Sequence, residues 1–381
     1  MKTILRTFVG CTAILFGTAC MGAVKYVPEN MKVELSLKVP GNNAVNYKLH
    51  PDKLENSYFD YEWRSDNKLP ITVFHKVEER DSCMRLTVQL TAAQDVYFNY
   101  RQLLSTGYRH DNCQFYMPGF WYRRNLRSPK KAPSFHTSDS WLVREDRLSA
   151  PLTGIFSEKE KRFMTVNRLD DFSMDALATH KEGEIILSGK TSLGFTGFEN
   201  QQGIAMLSFG FPYREAPKSY IRKLTLAPEV EAFQLMKKGE SVLLTWEIME
   251  SGADDFSDFI QHTWEHCYDT YAPKPVENSY SIADMKQVLS CFFVNSLVDN
   301  QPLVYNSGIH LKVSDCERNG QAEVGFIGRV LLNAFNAWEY GWQSNRKELK
   351  VNSTKIFDSY LKNGFTQAGF FKESVNFDKG Y

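Results

Sequence analysis

The sequence lacks the short motifs that identify several enzyme classes. It contains no glycine-rich phosphate loop, no G-x-S-x-G nucleophile elbow and no H-E-x-x-H zinc motif. It also lacks an excess of charge of either sign, with 45 basic and 45 acidic residues. Bulk charge therefore indicates no nucleic-acid or polyanion partner, and no local signature indicates nucleotide- or zinc-dependent chemistry.

Cysteine is scarce and widely spaced. Five of the seven cysteines lie beyond the first 23 residues and no C-x-x-C pair occurs, so neither a zinc finger nor a dithiol redox site is supported. Most of these thiols are expected to be buried as small apolar groups. Cys83 and Cys113 would pair only if adjacent strands bring them together.

Two histidines have a spacing that needs interpretation. His262 and His266 stand at i and i+4, the geometry of a metal-binding pair on a helix, but no third ligand stands at a recognisable spacing. We interpret both as residues of a helix surface or interface. The sequence therefore predicts no metal and no cofactor.

No segment beyond residue 23 is long and apolar enough to cross a membrane. The first 23 residues are typical of an export signal, because Lys2 and Arg6 precede a short apolar run over residues 7–19. Cleavage after Ala23 would leave a soluble protein. Alternatively, Gly17-Thr-Ala-Cys20 is a loose lipoprotein box that would attach lipid to Cys20. Either route predicts an exported protein, in the periplasm or on the outer surface.

Aromatic residues are abundant, at 14% of the chain, which suits a large β core or a sugar-stacking surface. Residues 24–252 show short alternating apolar and polar runs bounded by turn residues, without helical periodicity. The ten clearest runs are Val33–Val39, Ile71–Lys76, Arg85–Leu90, Val96–Tyr100, Phe163–Val166, Glu184–Leu187, Ala205–Phe209, Lys223–Leu226, Ala232–Met236 and Val242–Trp246. They predict a large antiparallel supersandwich.

The pattern becomes helical after residue 252. Residues 253–275 predict a linker helix clamped between two domains, with acidic residues at its start and Ala272-Pro-Lys-Pro275 at its end. Residues 276–381 predict an all-α domain. Its helices are expected at about Ile282–Val298, Glu323–Gln343 and Asn352–Asn363, with one long loop over residues 299–321. The second helix carries a wide apolar stripe, which predicts little solvent exposure.

One loop, residues 116–147, combines aromatic rings with arginine and aspartate. Aromatic rings stack on the apolar faces of sugars, and charged side chains form hydrogen bonds with the sugar hydroxyls. The guanidinium group of arginine pairs with the carboxylate of a uronic acid. The residues proposed to contact a saccharide are Trp121, Arg123, Arg124, Asp139, Arg144 and Arg147. The alternative is a loop that docks the sandwich on its neighbour through internal salt bridges, and both roles are compatible.

Charged residues at the start of the predicted helix Glu323–Gln343 form a second candidate site. Glu323 and Arg329 lie in an apolar context, where charged groups seldom occur without a partner or a task. Asp315 precedes them in the long loop, and two carboxylates flanking a glycosidic bond would act as acid and base, or as acid and nucleophile. The alternatives are a capped helix start for Glu323 and Arg329, and a solvated loop for Asp315.

The order of these elements resembles the six-hairpin glycosidase superfamily, in which an N-terminal β-supersandwich precedes an (α/α)6 toroid. The residues that carry the resemblance are Ala272-Pro-Lys-Pro275, Glu323-x-Gly-Phe-x-Gly-Arg329 and Asn363-Gly-Phe-Thr-x-x-Gly369. Together with the signal, they look like an exported polysaccharide-processing protein of a Bacteroides-type bacterium. The resemblance implies hydrolysis of glycosidic bonds by paired carboxylates or, as in some relatives, elimination at a uronate.

The chain departs from that family in length. Twelve toroid helices need roughly 250 residues, whereas 101 residues follow Tyr280. This predicts either the N-terminal part of a longer enzyme or a shorter protein that borrows the architecture, with self-association through an uncovered apolar helix face. The leading interpretation is a glycoside hydrolase-like protein with an incomplete catalytic domain, acting on a uronate-bearing oligo- or polysaccharide. The alternatives are a non-catalytic carbohydrate-binding or scaffold protein and a polysaccharide lyase.

Overall fold

A computed structural model describes residues 27–54, 60–80, 83–170, 175, 181–222, 224–275, 277, 279–298, 303–305, 309–311, 316–318, 321–323, 329–376 and 379. The chain divides into two units, Met1–Ala272 and Pro273–Tyr381. The predicted export signal and the lipid site at Cys20 lie outside the described residues. None of the helices in the described part of the chain combines the length and the apolar character that a bilayer crossing requires.

The described residues of the first unit form nineteen strands and one α-helix. The first nine strands are β1 (Met31–Lys38), β2 (Val45–Lys53), β3 (Asp60–Arg64), β4 (Ile71–Glu79), β5 (Cys83–Ala92), β6 (Val96–Arg109), β7 (Cys113–Met117), β8 (Trp121–Arg123) and β9 (Trp141–Arg144). The remaining strands are β10 (Leu152–Ser157), β11 (Arg162–Arg168), β12 (Gly183–Ile186), β13 (Phe195–Gln201), β14 (Ile204–Phe211), β15 (Arg214–Glu215), β16 (Ser219–Arg222), β17 (Thr225–Ala227), β18 (Val230–Met236) and β19 (Ser241–Gly252). The helix is α1 (Phe256–Tyr271).

These strands build two layers that share one strand. The first layer runs in the order β2, β1, β6, β14, β13, β9, with β18 beside β6. The second runs β8, β7, β10, β11, β19, β5, β4, β3, β2. Strand β2 pairs with β1 through Val45–Leu49 and with β3 through His50–Lys53, so it links the layers. All of these pairings are antiparallel.

The core lies between the two layers because alternate residues of each strand face inward. On β4, Ile71, Val73, His75 and Val77 are buried, and the residues that alternate with them are more exposed. Residues from both layers join one cluster of buried side chains, which includes Leu35 and Trp246. The predicted large antiparallel sandwich is confirmed, and each of the ten predicted runs overlaps an observed strand.

Helix α1 packs against the second layer. Its start is capped by Asp255, whose carboxylate accepts hydrogen bonds from the backbone amides of Ser257 and Asp258. Phe259 is fully buried, with its ring centroid 4.9 Å from that of Phe163. A Cβ atom at position 154 would lie 2.5 Å from this ring. Gly154 therefore leaves the space on β10 that the Phe259 ring occupies. The predicted linker helix is therefore an integral part of the sandwich unit.

The second unit contains three α-helices and short strand pairs among its described residues. Its elements are α2 (Ile282–Asn295), β20 (Leu297–Val298), β21 (Val304–Tyr305), β22 (Ile309–Leu311), β23 (Cys316–Arg318), β24 (Gln321–Glu323), α3 (Arg329–Gln343), α4 (Lys347–Asn363) and β25 (Ser374–Asn376). Strands β21–β24 replace part of the loop predicted over residues 299–321, and β20 replaces the end of the helix predicted over Ile282–Val298. Glu323 ends a strand that pairs with β25 and does not begin the helix, which starts at Arg329.

Helix α3 is less covered than its apolar stripe predicts. Val330, Ala334 and Ala337 are buried in a cluster with residues of α4. On the remainder of the helix, Phe335 is exposed and Trp342 is 60% exposed. The prediction of little solvent exposure is wrong, because the small alanines of α3 face its neighbour and the aromatic rings lie outside that contact. Self-association through this aromatic face stays a prediction.

Replacement of Phe259 by alanine tests the docking of α1. We expect Phe259→Ala to lower the free energy of unfolding by about 3–5 kcal/mol, because it leaves a cavity in a fully buried site. Chemical denaturation followed by tryptophan fluorescence measures the change. The matched control on the same helix is Tyr268→Ala, a residue that is 65% exposed, and it is expected to stay within about 0.5 kcal/mol. Equal losses in the two variants would contradict the docking.

Candidate functional site

An open cleft of about 730 Å³ lies where β7 and β8 meet the turn that follows them. Its lining combines three guanidinium groups, one carboxylate and one exposed aromatic ring. The lining residues are Gln114, Tyr122, Arg123, Arg124, Asn125, Leu126, Arg127, Ser128 and Glu158. A cleft of this size accommodates small ligands, so it is a candidate binding site of the first unit.

The turn after β8 is held by Asn125. Its side-chain oxygen accepts a hydrogen bond from the Tyr122 amide at 3.0 Å, and its side-chain nitrogen donates to the carbonyls of Phe120 and Pro133. Asn125 and Arg123 both have positive φ angles, 48° and 57°. Asparagine tolerates this region, whereas arginine rarely occupies it. A fixed, strained backbone therefore presents Arg123 to the cleft, an arrangement that is common at functional sites.

The cleft has an excess of positive charge. Within the described part of the chain, neither Arg123 nor Arg127 has a carboxylate oxygen within 4.0 Å. The Arg123 guanidinium lies over the Phe256 ring of α1, 5.0 Å from its centroid. Arg124 donates to the carbonyls of Cys113 and Asp111, and among the described residues it forms no ion pair with a carboxylate. Glu158 is the single acidic residue of the lining, and it accepts a hydrogen bond from Gln114.

Tyr122 supplies the exposed ring of this cleft. Its side chain is 52% exposed, and its hydroxyl accepts a hydrogen bond from the Gly119 amide at 3.3 Å. The neighbouring Tyr116 ring lies 5.4 Å away, centroid to centroid, and is buried. Tyr122 thus has a supported position and a free face. Its place next to Arg123 in the aromatic and arginine-rich loop is the signal in the sequence, although Tyr122 is not among the residues proposed there to contact a saccharide.

Trp121 does not belong to this surface. It alternates with Tyr122 on β8 and points into the core, where none of its surface is exposed. Its indole N–H donates to the Arg123 carbonyl at 3.0 Å. A ring without exposed surface cannot stack on a sugar, so its predicted saccharide contact is corrected to a core role that fixes the turn.

The structure places the other predicted contact residues in ion pairs and hydrogen bonds within the fold. Arg144 pairs with Asp146 and Asp175, at 2.7 and 3.2 Å. Arg147 pairs with Glu215 through two donors. Their guanidinium groups are therefore engaged by carboxylates of the first unit. Docking of the loop on a neighbouring domain, the alternative role, stays a prediction.

Asp139 likewise has a partner within the sandwich. Its carboxylate accepts a hydrogen bond from the Asn200 side chain at 2.7 Å, and its carbonyl lies 2.9 Å from the His110 imidazole. None of Asp139, Arg144 and Arg147 lines the cleft. The loop therefore divides into a cleft-forming half, residues 122–128, and a half that ties the first layer together.

The residues predicted to carry catalysis belong to the second unit. Asp315 lies outside the described residues. Glu323 is the last residue of β24 and Arg329 the first of α3, and their backbones alone are described. The catalytic roles of Asp315 and Glu323 and the substrate contact of Arg329 therefore stay predictions.

A second cluster of reactive groups lies under α1, and the sequence did not reveal it. His266 lies 2.8 Å from the Glu247 carboxylate on β19, and Cys83 at the start of β5 completes a group whose ligand atoms all lie within 4.8 Å of one another. His262 instead lies 3.4 Å from Asp258 on its own helix. The two histidines therefore do not share a site, because they face different neighbours.

The environment of this cluster shifts two pKa values. Burial raises the pKa of the Cys83 thiol, with a further contribution from the Glu247 carboxylate, to about 11. Burial also opposes ionisation of Glu247, but hydrogen bonds from His266 and Thr270 outweigh it and lower the Glu247 pKa to about 2. Cys83 and Cys113 are both free thiols, so the conditional pairing of these two cysteines does not occur.

Among known proteins, only solved structures show similarity to this chain. No family model and no curated protein matches the chain. It is similar to the solved structure of a polysaccharide lyase, with a TM-score of 0.31 and 11% identity, over 88% of this chain and 54% of the lyase. It is also similar to a galactose mutarotase related enzyme from Lactobacillus acidophilus (TM-score 0.30, 9% identity, 58% of this chain and 79% of that chain). A third is a GH36 alpha-galactosidase from Geobacillus stearothermophilus (TM-score 0.28, 11% identity, 59% of this chain and 30% of that chain).

These three solved structures are, by their names, enzymes that act on carbohydrates. Their TM-scores and identities are low, so they establish neither a shared family nor a shared activity. The chain spans about half the length of the polysaccharide lyase. The resemblance to the six-hairpin glycosidases is not confirmed by a family match.

Proposed function

We propose that this chain is an exported carbohydrate-active protein whose first unit binds an acidic, uronate-bearing saccharide in the cleft beside β8. The observation that carries the proposal is the combination of Arg123 and Arg127, both without a carboxylate partner among the described residues, with the exposed ring of Tyr122. These are the two kinds of group that such a ligand requires.

The chemistry of a uronate matches this lining. A planar guanidinium donates two parallel hydrogen bonds to a carboxylate, and such charge-assisted bonds are about twice as strong as neutral ones. The free face of Tyr122 suits the apolar face of a sugar ring. Because the cleft is open rather than enclosed, a chain of several sugar units fits it better than a buried small molecule.

Cleavage requires a second carboxyl group, which the described lining of the cleft does not contain. Glycosidic bonds are broken by two carboxyl groups that flank the bond, whereas Glu158 is the single carboxylate among the lining residues. We assign hydrolysis to Glu323 and Asp315 of the second unit, with Arg329 as a substrate contact, on the basis of the sequence. In this proposal, hydrolysis would require further helices that complete the toroid. Elimination at the uronate is the alternative reaction, and binding without cleavage is the alternative function.

The binding proposal predicts a charge-dependent affinity. We expect the chain to bind an oligogalacturonate more tightly than a neutral oligosaccharide of equal length, and to bind it less tightly as salt increases, because exposed charges are screened. Arg123→Gln is expected to weaken binding about 10–100-fold, since a hydrogen bond to a charged group contributes about 1.5–3 kcal/mol. Isothermal titration calorimetry measures both effects.

A matched control for this substitution lies on β3. Arg64→Gln removes an arginine that is also exposed but lies at the opposite end of the second layer, and its affinity should equal that of the unaltered chain. Equal binding of neutral and acidic saccharides, or equal losses in the two variants, would contradict a uronate site in the cleft.

The cleavage assignment predicts a specific loss of turnover. Glu323→Gln is expected to abolish release of reducing ends from a uronate-bearing polysaccharide while the circular dichroism spectrum stays unchanged, because the amide cannot act as an acid, base or nucleophile. The control is Glu348→Gln, an exposed carboxylate on α4, which should retain full activity. Unchanged turnover in Glu323→Gln would remove this residue from catalysis.

The products of the same assay separate the alternatives. An unsaturated product that absorbs in the ultraviolet would identify elimination in place of hydrolysis. Tight binding by the unaltered chain without any product would favour the carbohydrate-binding alternative.

A further inference from the structure

We propose that Cys83, Glu247 and His266 form a binding site for a divalent zinc ion that joins α1 to the second layer of the sandwich. The three residues come from three separate segments, β5, β19 and α1. Their candidate ligand atoms, one sulfur, one carboxylate oxygen and one imidazole nitrogen, all lie within 4.8 Å of one another. No other part of the proposed function uses these groups.

The distances are close to those of a bound ion. Zinc bonds of about 2.0–2.3 Å in a tetrahedron place ligand atoms about 3.3–3.8 Å apart. The His266 nitrogen and the nearer Glu247 oxygen, now 2.8 Å apart in a hydrogen bond, would separate slightly. The Cys83 sulfur, which lies within 4.8 Å of both atoms, would need to approach by about 1 Å at most. Three protein ligands leave one tetrahedral position for water.

The donor set selects the class of cation. Thiolate and imidazole favour zinc and other borderline-soft ions, whereas magnesium and calcium require oxygen ligands. Cys83 and Glu247 are buried and His266 is partly buried. A site with little water strengthens the attraction between the cation and two anionic ligands.

The neighbouring charges leave one side of the Glu247 carboxylate for the ion. Arg85 lies 3.5 Å from one oxygen, while His266 and Thr270 lie 2.8 and 3.0 Å from the other. The ion would take the oxygen that now faces His266, and Arg85 would keep its own. Thr270 would remain a neighbour of that ligand and orient it, as outer-shell hydrogen bonds commonly do.

Binding has a defined proton balance. The Cys83 thiol loses its proton to solvent, His266 binds as the neutral imidazole and Glu247 is already ionised, so each zinc ion that binds releases one proton from the thiol. The metal supplies the positive charge that a buried thiolate otherwise lacks. Without metal, the same three groups form a hydrogen-bonded polar cluster.

The test measures zinc in the full chain. The protein is stripped with a chelator, dialysed against zinc and analysed by elemental mass spectrometry, and we expect one ion per chain. Cys83→Ala and His266→Gln are each expected to weaken zinc binding more than about 100-fold, since loss of an outer-shell partner alone weakens binding about 10–100-fold. Zinc is also expected to raise the melting temperature of the unaltered chain, because it binds the folded state.

Matched controls exist for both substitutions. Cys113→Ala removes another buried free thiol at the start of a strand, and His262→Gln removes a histidine one turn away on the same helix. Both variants should retain the full zinc content. Zinc content that is unchanged in Cys83→Ala, or that falls equally in a variant and its control, would overturn the proposal.

A spectroscopic measurement keeps the proposal testable even if the variants do not fold. Cobalt(II) substituted into the unaltered chain is expected to give a thiolate-to-cobalt charge-transfer band together with the intense visible bands of a tetrahedral site. Absence of zinc from the reconstituted chain, or a cobalt spectrum without the thiolate band, would show that the three residues form a polar cluster only.

Discussion

The seating of α1 on the second layer is the interaction on which both candidate sites depend. Phe259 enters a space that exists because residue 154 is glycine, and the aromatic side chains around it bury the rest of the helix face. From this position α1 provides the Phe256 ring beneath Arg123 and brings His266 to Glu247. Displacement of the helix would therefore remove the ring beneath Arg123 and one ligand of the proposed zinc site together.

In the loop after β7, the short strand β8 places core residues and cleft residues on opposite sides. Successive residues of a strand face opposite sides, so Trp121 is buried while Tyr122 is exposed. The buried indole and the Asn125 side chain fix the turn. Among the described residues, no carboxylate oxygen lies within 4.0 Å of the guanidinium of Arg123 or Arg127 in this turn. Farther along the loop, carboxylates engage the arginines fully. The cleft arginines and the later arginines of the loop therefore differ in their partner residues and not in residue type.

The sequence predicted the elements whose signal is local. Alternation located ten strands, and the acidic start and proline-rich end predicted a helix over residues 253–275, within which α1 covers Phe256–Tyr271. It did not predict that Trp121 faces inward, because the side on which an alternating strand is buried depends on its partners. The cluster of Cys83, Glu247 and His266 was missed for a related reason, since its members meet only through pairing between distant strands and helix docking. The sequence predicted less solvent exposure for α3 than the structure shows. Apolar periodicity locates the apolar face of a helix but does not show how much of that face a neighbouring element covers.

Hydrogen exchange along α1 tests most directly whether this helix is an integral part of the sandwich. Its amides between Phe259 and Cys267 are expected to exchange as slowly as those of the central strand β19, because the helix and the sheet should open together as one cooperative unit. Mass spectrometry of peptic fragments resolves the two segments. Rapid exchange throughout α1 while β19 stays protected would show that the helix is a separable linker, and it would contradict the account of both sites.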